Sequence, residues 1–254
     1  MGPFAVIFPA AGQSRRFGDA SQKKIYHEID GRAVWLRAVE PFVNRDDVSQ
    51  LILAIAPDDR ELFERRYRAN VVFLGITVVE GGAERFDTVA ACLERVDPAC
   101  EFVAVHDAAR PFPTGDLIDR VFDTARQHGA ALPGIAVSDT LKRAGPDGMI
   151  IETVSRAGLC AVQTPQAFRL DLLREAHANR ERLAVPVTDD AQLVEAIGHP
   201  CQIVAGSPFN LKITTRDDLR MAEAILNVLP QPRAKGGSLP FTDERAMWGE
   251  GPEG

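Results

Sequence analysis

The stretch Phe4-Ala5-Val6-Ile7-Phe8-Pro9-Ala10-Ala11-Gly12-Gln13-Ser14-Arg15-Arg16-Phe17-Gly18 decides the reading of this chain. Its short apolar run ends at Pro9 and predicts a strand buried on both faces, since a strand with one solvated face would alternate. The run leads directly into a loop of small residues, two arginines and, a few positions on, Lys23 and Lys24. Backbone N–H groups at a strand end can point at an anion, and Ala10, Ala11 and Gly12 are small enough to let a phosphate approach the main chain. Arg15 and Arg16 add planar forks, and Lys23 a mobile point charge, for the same phosphates. The spacing is neither a dinucleotide fingerprint nor a P-loop. Standing alone, the loop also reads as a small-residue turn with solvated basic side chains.

Outward from this strand, apolar runs alternate with amphipathic ones. Helices are predicted over 33–42, 58–68, 85–96 and 115–128, and strands over 50–55, 76–79 and 102–105. This rhythm predicts an α/β, Rossmann-like fold: a mainly parallel sheet with helices on both faces, binding ligands at the carboxyl ends of its strands. Residues 131–162 break the rhythm. Strand-like pieces over 132–137, 140–143 and 150–155 are separated by the turn Gly145-Pro146-Asp147-Gly148, and no helix intervenes. The segment reads as a projecting β-hairpin arm that docks on a partner subunit. Helices over 170–182, 189–197 and 217–229 and a strand over 201–204 resume the pattern. One domain is expected over 1–229. From Pro230 no periodicity survives, and 230–254 is expected to be a disordered tail.

The formal charge of −7, with 45% hydrophobic and 26% charged residues, describes an ordinary globular protein and argues against a general nucleic-acid or membrane-surface binder. An anionic substrate would need a local cluster of Lys and Arg. Cys92, Cys100, Cys160 and Cys201 form no CxxC pair and no metal-ligand spacing with histidine, and are expected to be reduced and mostly buried. The N-terminus lacks a secretory pattern and no apolar stretch is long enough to span a bilayer, which predicts a cytoplasmic protein.

Two further clusters carry chemistry. Gly81-Gly82-Ala83-Glu84-Arg85-Phe86-Asp87-Thr88 follows the third strand, where the glycines can wrap a base or ribose and Thr88 can donate a hydroxyl; a flexible turn before a capped helix reads equally well. Val105-His106-Asp107-Ala108-Ala109-Arg110-Pro111 ends the fourth strand. Asp107 there can hold a ribose hydroxyl or a metal-bound phosphate, while a lone histidine such as His106 is more often structural than a general base. Arg110, Arg156 and Lys212 are isolated cations and therefore binding candidates, although each could equally be an ion-pair partner.

Taken in order, Ala10-Ala11-Gly12, Arg16, Lys23, Gly81-Gly82-x-x-Arg85, Val105-His106-Asp107-Ala108-Ala109-Arg110-Pro111, Asp139-Thr140, Gln163-Thr164-Pro165-Gln166, Thr188-Asp189-Asp190-Ala191 and Asn210-x-Lys212-Ile213-Thr214 resemble the 2-C-methyl-D-erythritol 4-phosphate cytidylyltransferases of the non-mevalonate isoprenoid pathway. The resemblance covers about residues 4–229. It implies a nucleotidyltransferase that joins CTP to 2-C-methyl-D-erythritol 4-phosphate, uses Mg2+ or another divalent cation, and forms a homodimer through the 131–162 arm. By the same resemblance Arg16 and Lys23 are catalytic at the α-phosphate, and Arg156 and Lys212 position the polyol phosphate. Ala10, Ala11, Gly12, Gly82 and Thr88 hold the cytidine, and Asp107, Arg110, Thr140, Thr164 and Thr188 line the substrates. The metal ligands are left open. The nucleophile is a phosphate monoester, already anionic at neutral pH, so the chemistry calls for positive charge in fixed geometry and no general base.

The sequence departs from the family pattern at four positions. Ser14 stands where a second glycine is usual and brings a Cβ toward the triphosphate unless its φ is negative. Gln22 replaces a proline and is expected to loosen the turn that aims Lys23, with Lys24 beside it as a substitute. Ala83 stands for an acidic residue, and Cys160 for an aromatic. A cytidylyltransferase for ribitol 5-phosphate or another polyol phosphate and a non-catalytic nucleotide-binding regulator are the alternatives; retention of Arg16, Lys23, Arg156 and Lys212 together speaks against the regulator.

Overall fold

The computed structural model describes residues 2–14, 17–18, 22–180 and 187–229. Arg15, Arg16, the end of the helix expected over 170–182 and the expected tail lie outside them. The elements in chain order are β1 (Phe4–Pro9), β2 (Glu28–Ile29), β3 (Arg32–Ala33), α1 (Val34–Val39), β4 (Val48–Ile55), α2 (Arg60–Phe73), β5 (Ile76–Glu80), α3 (Arg85–Leu93), β6 (Phe102–Val105), α4 (Gly115–His128), β7 (Ala130–Ala136), β8 (Leu141–Ala144), β9 (Ile150–Val154), β10 (Cys160–Val162), β11 (Gln166–Arg169), α5 (Leu170–Ala178), α6 (Asp190–Ala196), β12 (Gln202–Ala205) and α7 (Arg216–Val228).

The main sheet runs β10-β7-β11-β6-β1-β4-β5, with β12 also paired to β7. β1 lies between β4 and β6 and is parallel to both, and β4–β5 and β7–β12 are parallel as well. β11 is antiparallel to β6 and β7, and β10 to β7. The result is a mostly parallel, Rossmann-like sheet. Its centre is two-sided because side chains alternate along each strand. Phe4, Val6 and Phe8 of β1 join Leu51, Leu53, Phe102 and Ala104 in one core, under Trp35 of α1, Phe63 and Tyr67 of α2 and Phe122 of α4. Ala5 and Ile7 point the other way, to Ile52, Val103 and Val105, under Val89 of α3, Leu173 of α5 and Leu193 of α6. Helix ends follow local chemistry: Thr114 caps α4, whose C-terminus closes on Gly129 at φ +84°, a left-handed position that favours glycine.

Two expectations need correction, and one strand is new. The segment 131–162 divides rather than forming one arm. β7 is a sheet strand whose Ala130, Ala131 and Leu132 are buried core residues, and β10 joins the sheet by antiparallel pairing with it. Only the stretch between them leaves the sheet, and there β8 and β9 make a separate two-stranded antiparallel sheet, register Leu141 with Val154, whose side chains are mostly exposed. β11 is absent from the sequence pattern, since its four residues between Pro165 and α5 are too few to display a period. Cys160 is exposed, while Cys92 and Cys100 are buried and all four cysteines are free.

Candidate active site

Because β1, β4, β5 and β6 are parallel, the loops that follow them emerge on one edge of the sheet. The first loop begins with Ala10, whose N–H donates to the Ala54 carbonyl at 2.7 Å, and passes through Gly12, which has open space around it. Ser14 sits at φ +53°, a left-handed conformation that disfavours a side chain. Its hydroxyl accepts from the Lys24 N–H at 3.3 Å. The two neighbouring lysines diverge. The Lys23 ammonium reaches Asp59 Oδ2 at 2.8 Å, whereas Lys24 Nζ donates to the Ile213 carbonyl at 2.8 Å. Gln22 does not leave the turn loose: its amide donates to the Tyr26 carbonyl at 2.6 Å and ties the turn across.

The glycine turn after β5 presses against the first loop. A Cβ on Gly81 would lie 2.4 Å from that of Ala11, and one on Gly82 would lie 2.4 Å from that of Asp87, so neither position admits a side chain. Thr88 is buried. Its hydroxyl accepts from the Gly82 N–H at 3.1 Å and donates to the Glu84 carbonyl at 3.0 Å, so it braces the turn from beneath.

Asp107, just past β6, is the electrostatic hub. It is 8% exposed, and its carboxylate faces Lys212 Nζ at 2.7 Å, Arg110 Nε at 3.6 Å and Arg85 Nε at 3.7 Å. Burial alone would raise its pKa, but these three cations outweigh burial and hold the carboxyl well below the usual range. Arg85 also pairs with the fully buried Asp190 at 2.7 Å, which connects the α3 start to the α6 start. Arg85 is a named position of the sequence motif Gly81-Gly82-x-x-Arg85 with no role assigned to it; its bridging of two buried carboxylates becomes evident only in the fold.

His106 beside the hub is fully buried. Its Nε2 lies 3.0 Å from the Arg110 carbonyl, which can only accept, so Nε2 carries the proton. Nδ1 then accepts from the Thr164 hydroxyl at 3.2 Å, and that hydroxyl accepts from the Asp107 N–H at 3.0 Å. One neutral tautomer satisfies every bond, and burial lowers the His106 pKa to about 4. The Thr164 carbonyl accepts from the buried Asn210 amide at 2.7 Å, and Arg110 donates to the Asn210 carbonyl at 2.7 Å. The Ile213 N–H donates to the Ala109 carbonyl at 2.8 Å, placing the Lys212 loop against the hub. Thr188 is exposed at the approach to α6 and bonds to Gln192 at 2.8 and 3.1 Å.

The fold therefore brings Ala10, Ala11, Gly12, Lys23, Gly82, Thr88, Asp107, Arg110, Thr164 and Lys212 to one edge. It does not bring Thr140 and Arg156 there: both are exposed around the β8–β9 hairpin, and Arg156 has no side-chain partner among the described residues. Among those residues no group of three or more acidic, histidine or cysteine side chains could hold a metal alone, and no helix is long and apolar enough to cross a membrane.

The sequence profile of the 2-C-methyl-D-erythritol 4-phosphate cytidylyltransferase family matches residues 4–228. The chain is 45% identical over 235 residues to the Rhodopirellula baltica protein of that name, covering 88% of this chain and 94% of that one. It is 41% identical over 224 residues to the Bacillus velezensis protein of the same name, covering 88% and 95%. Its fold superimposes on the crystal structure of 2-C-methyl-D-erythritol 4-phosphate cytidylyltransferase from Thermus thermophilus with a TM-score of 0.74 at 35% identity, over 90% of this chain and 100% of the other. With the glycine turn, the Asp107 hub and the lysine-bearing loops at the same sheet edge, the chain belongs to the 2-C-methyl-D-erythritol 4-phosphate cytidylyltransferase family.

Proposed function

We propose that the chain transfers the cytidylyl group of CTP to 2-C-methyl-D-erythritol 4-phosphate. An oxygen of the polyol phosphate attacks the α-phosphorus, the bond from that phosphorus to the β-phosphate bridging oxygen breaks, and pyrophosphate leaves as 4-diphosphocytidyl-2-C-methyl-D-erythritol forms. The observation that carries this reading is the Asp107 hub, which gathers Lys212, Arg110 and Arg85 beside the small-residue loop; cations in fixed places are what this chemistry demands, and no general base is called for. A phosphate nucleophile needs none, and His106, neutral with both nitrogens engaged, supplies none. Lys23, with Arg16, stabilises charge on the α-phosphate and on departing pyrophosphate. Lys212 binds the polyol phosphate, held in place by Asp107. Ala10, Ala11, Gly12 and the Gly81–Gly82 turn receive the nucleotide.

A divalent cation fits this donor set as a passenger on the triphosphate. Magnesium commonly keeps substrate phosphates and water as most of its ligands, and because Asp107 already faces Lys212, Arg110 and Arg85, the ion would be held chiefly by the triphosphate oxygens. Bound there, the ion would neutralise phosphate charge and polarise the α-phosphate. Arg156 lies exposed just past the base of the hairpin, which itself shows Met149, Ile150 and Ile151 at 68%, 64% and 65% exposure. Such apolar exposure supports a homodimer in which the hairpin carries Arg156 to the partner's sheet edge. The supply of CTP and the four free cysteines support a cytoplasmic setting.

The test is pyrophosphate release with CTP against 2-C-methyl-D-erythritol 4-phosphate and ribitol 5-phosphate in parallel, with magnesium and in excess EDTA. Turnover confined to the methylerythritol substrate and abolished by EDTA is expected. Preference for ribitol 5-phosphate would overturn the substrate, and full activity in EDTA the cation requirement.

A further inference from the structure

The Lys23 ammonium is gripped by residues outside the substrate-lining set. Asp59 closes the short turn Pro57–Asp59 after β4, and β4 is the strand beside β1, so the turn lies next to the first loop. Asp59 is 8% exposed and Tyr26 1% exposed. Asp59 Oδ2 accepts from Lys23 Nζ at 2.8 Å and from the Tyr26 hydroxyl at 3.0 Å. Tyr26 is fixed in turn by stacking on Tyr67, ring centroids 5.9 Å apart and 18° from parallel. Burial first, then Asp59, pushes the Tyr26 pKa above its usual value, so the phenol stays a donor. The arrangement is a built clamp: a rigid ring holds the buried Asp59 carboxylate, and the carboxylate holds the end of the flexible Lys23 side chain.

We infer that Asp59 is a positioning residue for Lys23, and that Tyr26 fixes Asp59. A lysine side chain loses substantial rotamer entropy when it is ordered. Asp59 orders it before the nucleotide arrives, using one of the three ammonium protons and leaving the others for phosphate oxygens. Asp59 also marks which of the adjacent lysines faces the triphosphate, since Lys24 is bound to the Ile213 carbonyl instead. This inference rests on the reading that Lys23 acts at the α-phosphate.

The experiment is a double-mutant cycle on full-length protein: Lys23→Ala, Asp59→Asn, the double variant and Tyr26→Phe, each with kcat, the KM for CTP and a thermal melt. Asp59→Asn should lower kcat by about 10- to 100-fold while the KM for CTP changes little, the scale expected when a catalytic group is misplaced by about 1 Å. In the Lys23→Ala background the same substitution should have almost no further effect, and Asp59→Glu should recover part of the wild-type kcat. A silent Lys23→Ala would remove the underlying reading and the inference with it. A severe Lys23→Ala with a silent Asp59→Asn, or with losses that simply multiply, would overturn the inference alone, because a merely structural Asp59 would cost activity whether or not Lys23 is present. If Asp59→Asn fails to fold, Tyr26→Phe decides: a loss of a few fold that disappears in the Lys23→Ala background supports the clamp, and an unchanged kcat contradicts it.

Discussion

The strand-end hub and the β8–β9 hairpin present their cations in opposite ways. At the hub every cation has an internal counter-charge: Lys212, Arg110 and Arg85 share Asp107, and Arg85 also holds Asp190. Just past the base of the hairpin Arg156 stands exposed without a side-chain partner among the described residues, and at the far end Met149, Ile150 and Ile151 are exposed as well. A buried charge without a partner is costly, so a preorganised cluster must carry its own anion. An exposed charge carries no such obligation and can be completed by another surface. The difference teaches that the hub is complete within one chain, whereas the hairpin arginine gains a role only in the proposed dimer.

The largest effect should fall on the part complete within one chain. Lys23→Ala should lower kcat by about 10²–10³, the usual consequence of deleting one preorganised electrostatic contact. Lys24→Ala should be mild, because its ammonium serves the Ile213 carbonyl. Steady-state kinetics on the pair would break the assignment if the order were reversed.

Lys212 and Arg156 sharpen the contrast directly. Either alanine variant should raise the KM for the polyol phosphate by about 10- to 100-fold, the loss expected from one charge-assisted contact, while that for CTP stays nearly constant. Only Lys212→Ala should also lower the melting temperature, since it strips a close partner from the buried Asp107. An equal loss of stability in Arg156→Ala would mean that the hairpin arginine is bound within its own chain.

A pH dependence of folding should belong to the buried half. His106 has a folded pKa of about 4 against 6.5 in the unfolded chain, so the unfolded state binds the proton more readily. Its contribution is complete above about pH 6.5 and declines as pH falls toward 4, by at most about 3 kcal/mol. Denaturant unfolding at pH 7 and pH 5, for wild type and His106→Gln, measures this: the variant should lose that part of the slope. The kcat profile should show no step from His106 between pH 6 and 8.

Much of this contrast was legible in the sequence and some was not. β1 could be read because Phe4 to Phe8 is apolar without alternation, and Asp107 because a carboxylate follows a buried strand. The hairpin turn was legible from Gly145 to Gly148, but the sheet membership of Ala130 to Ala136 was not, since long-range pairing with β11 and β12 leaves no local period. Arg85, Asp190 and Asp59 stand far apart in sequence, and only the fold brings them to their partners. In sequence Thr88 reads as a ligand donor, whereas the fold engages its hydroxyl beneath the glycine turn.

The smallest effect concerns Ser14, held at φ +53° where the family usually has glycine. Ser14→Gly should relieve about 1 kcal/mol of left-handed strain, offset in part by loss of the hydroxyl that accepts from the Lys24 N–H. A melting temperature raised by a degree or two, with kcat within about twofold, is expected; a large fall would show that the Ser14 hydroxyl outweighs the strain.

The claim that one chain's hub works with another chain's hairpin is tested most directly by mixing two impaired variants, Lys23→Ala and Arg156→Ala, and allowing subunits to exchange. In a mixed dimer one site carries both lesions and the other carries none. Assayed at low polyol phosphate, the exchanged mixture should recover about a quarter of wild-type activity, as random pairing of two-fold dimers requires. Activity no higher than the average of the two separate variants, after exchange has been confirmed, would contradict the account and place Arg156 in service of its own chain.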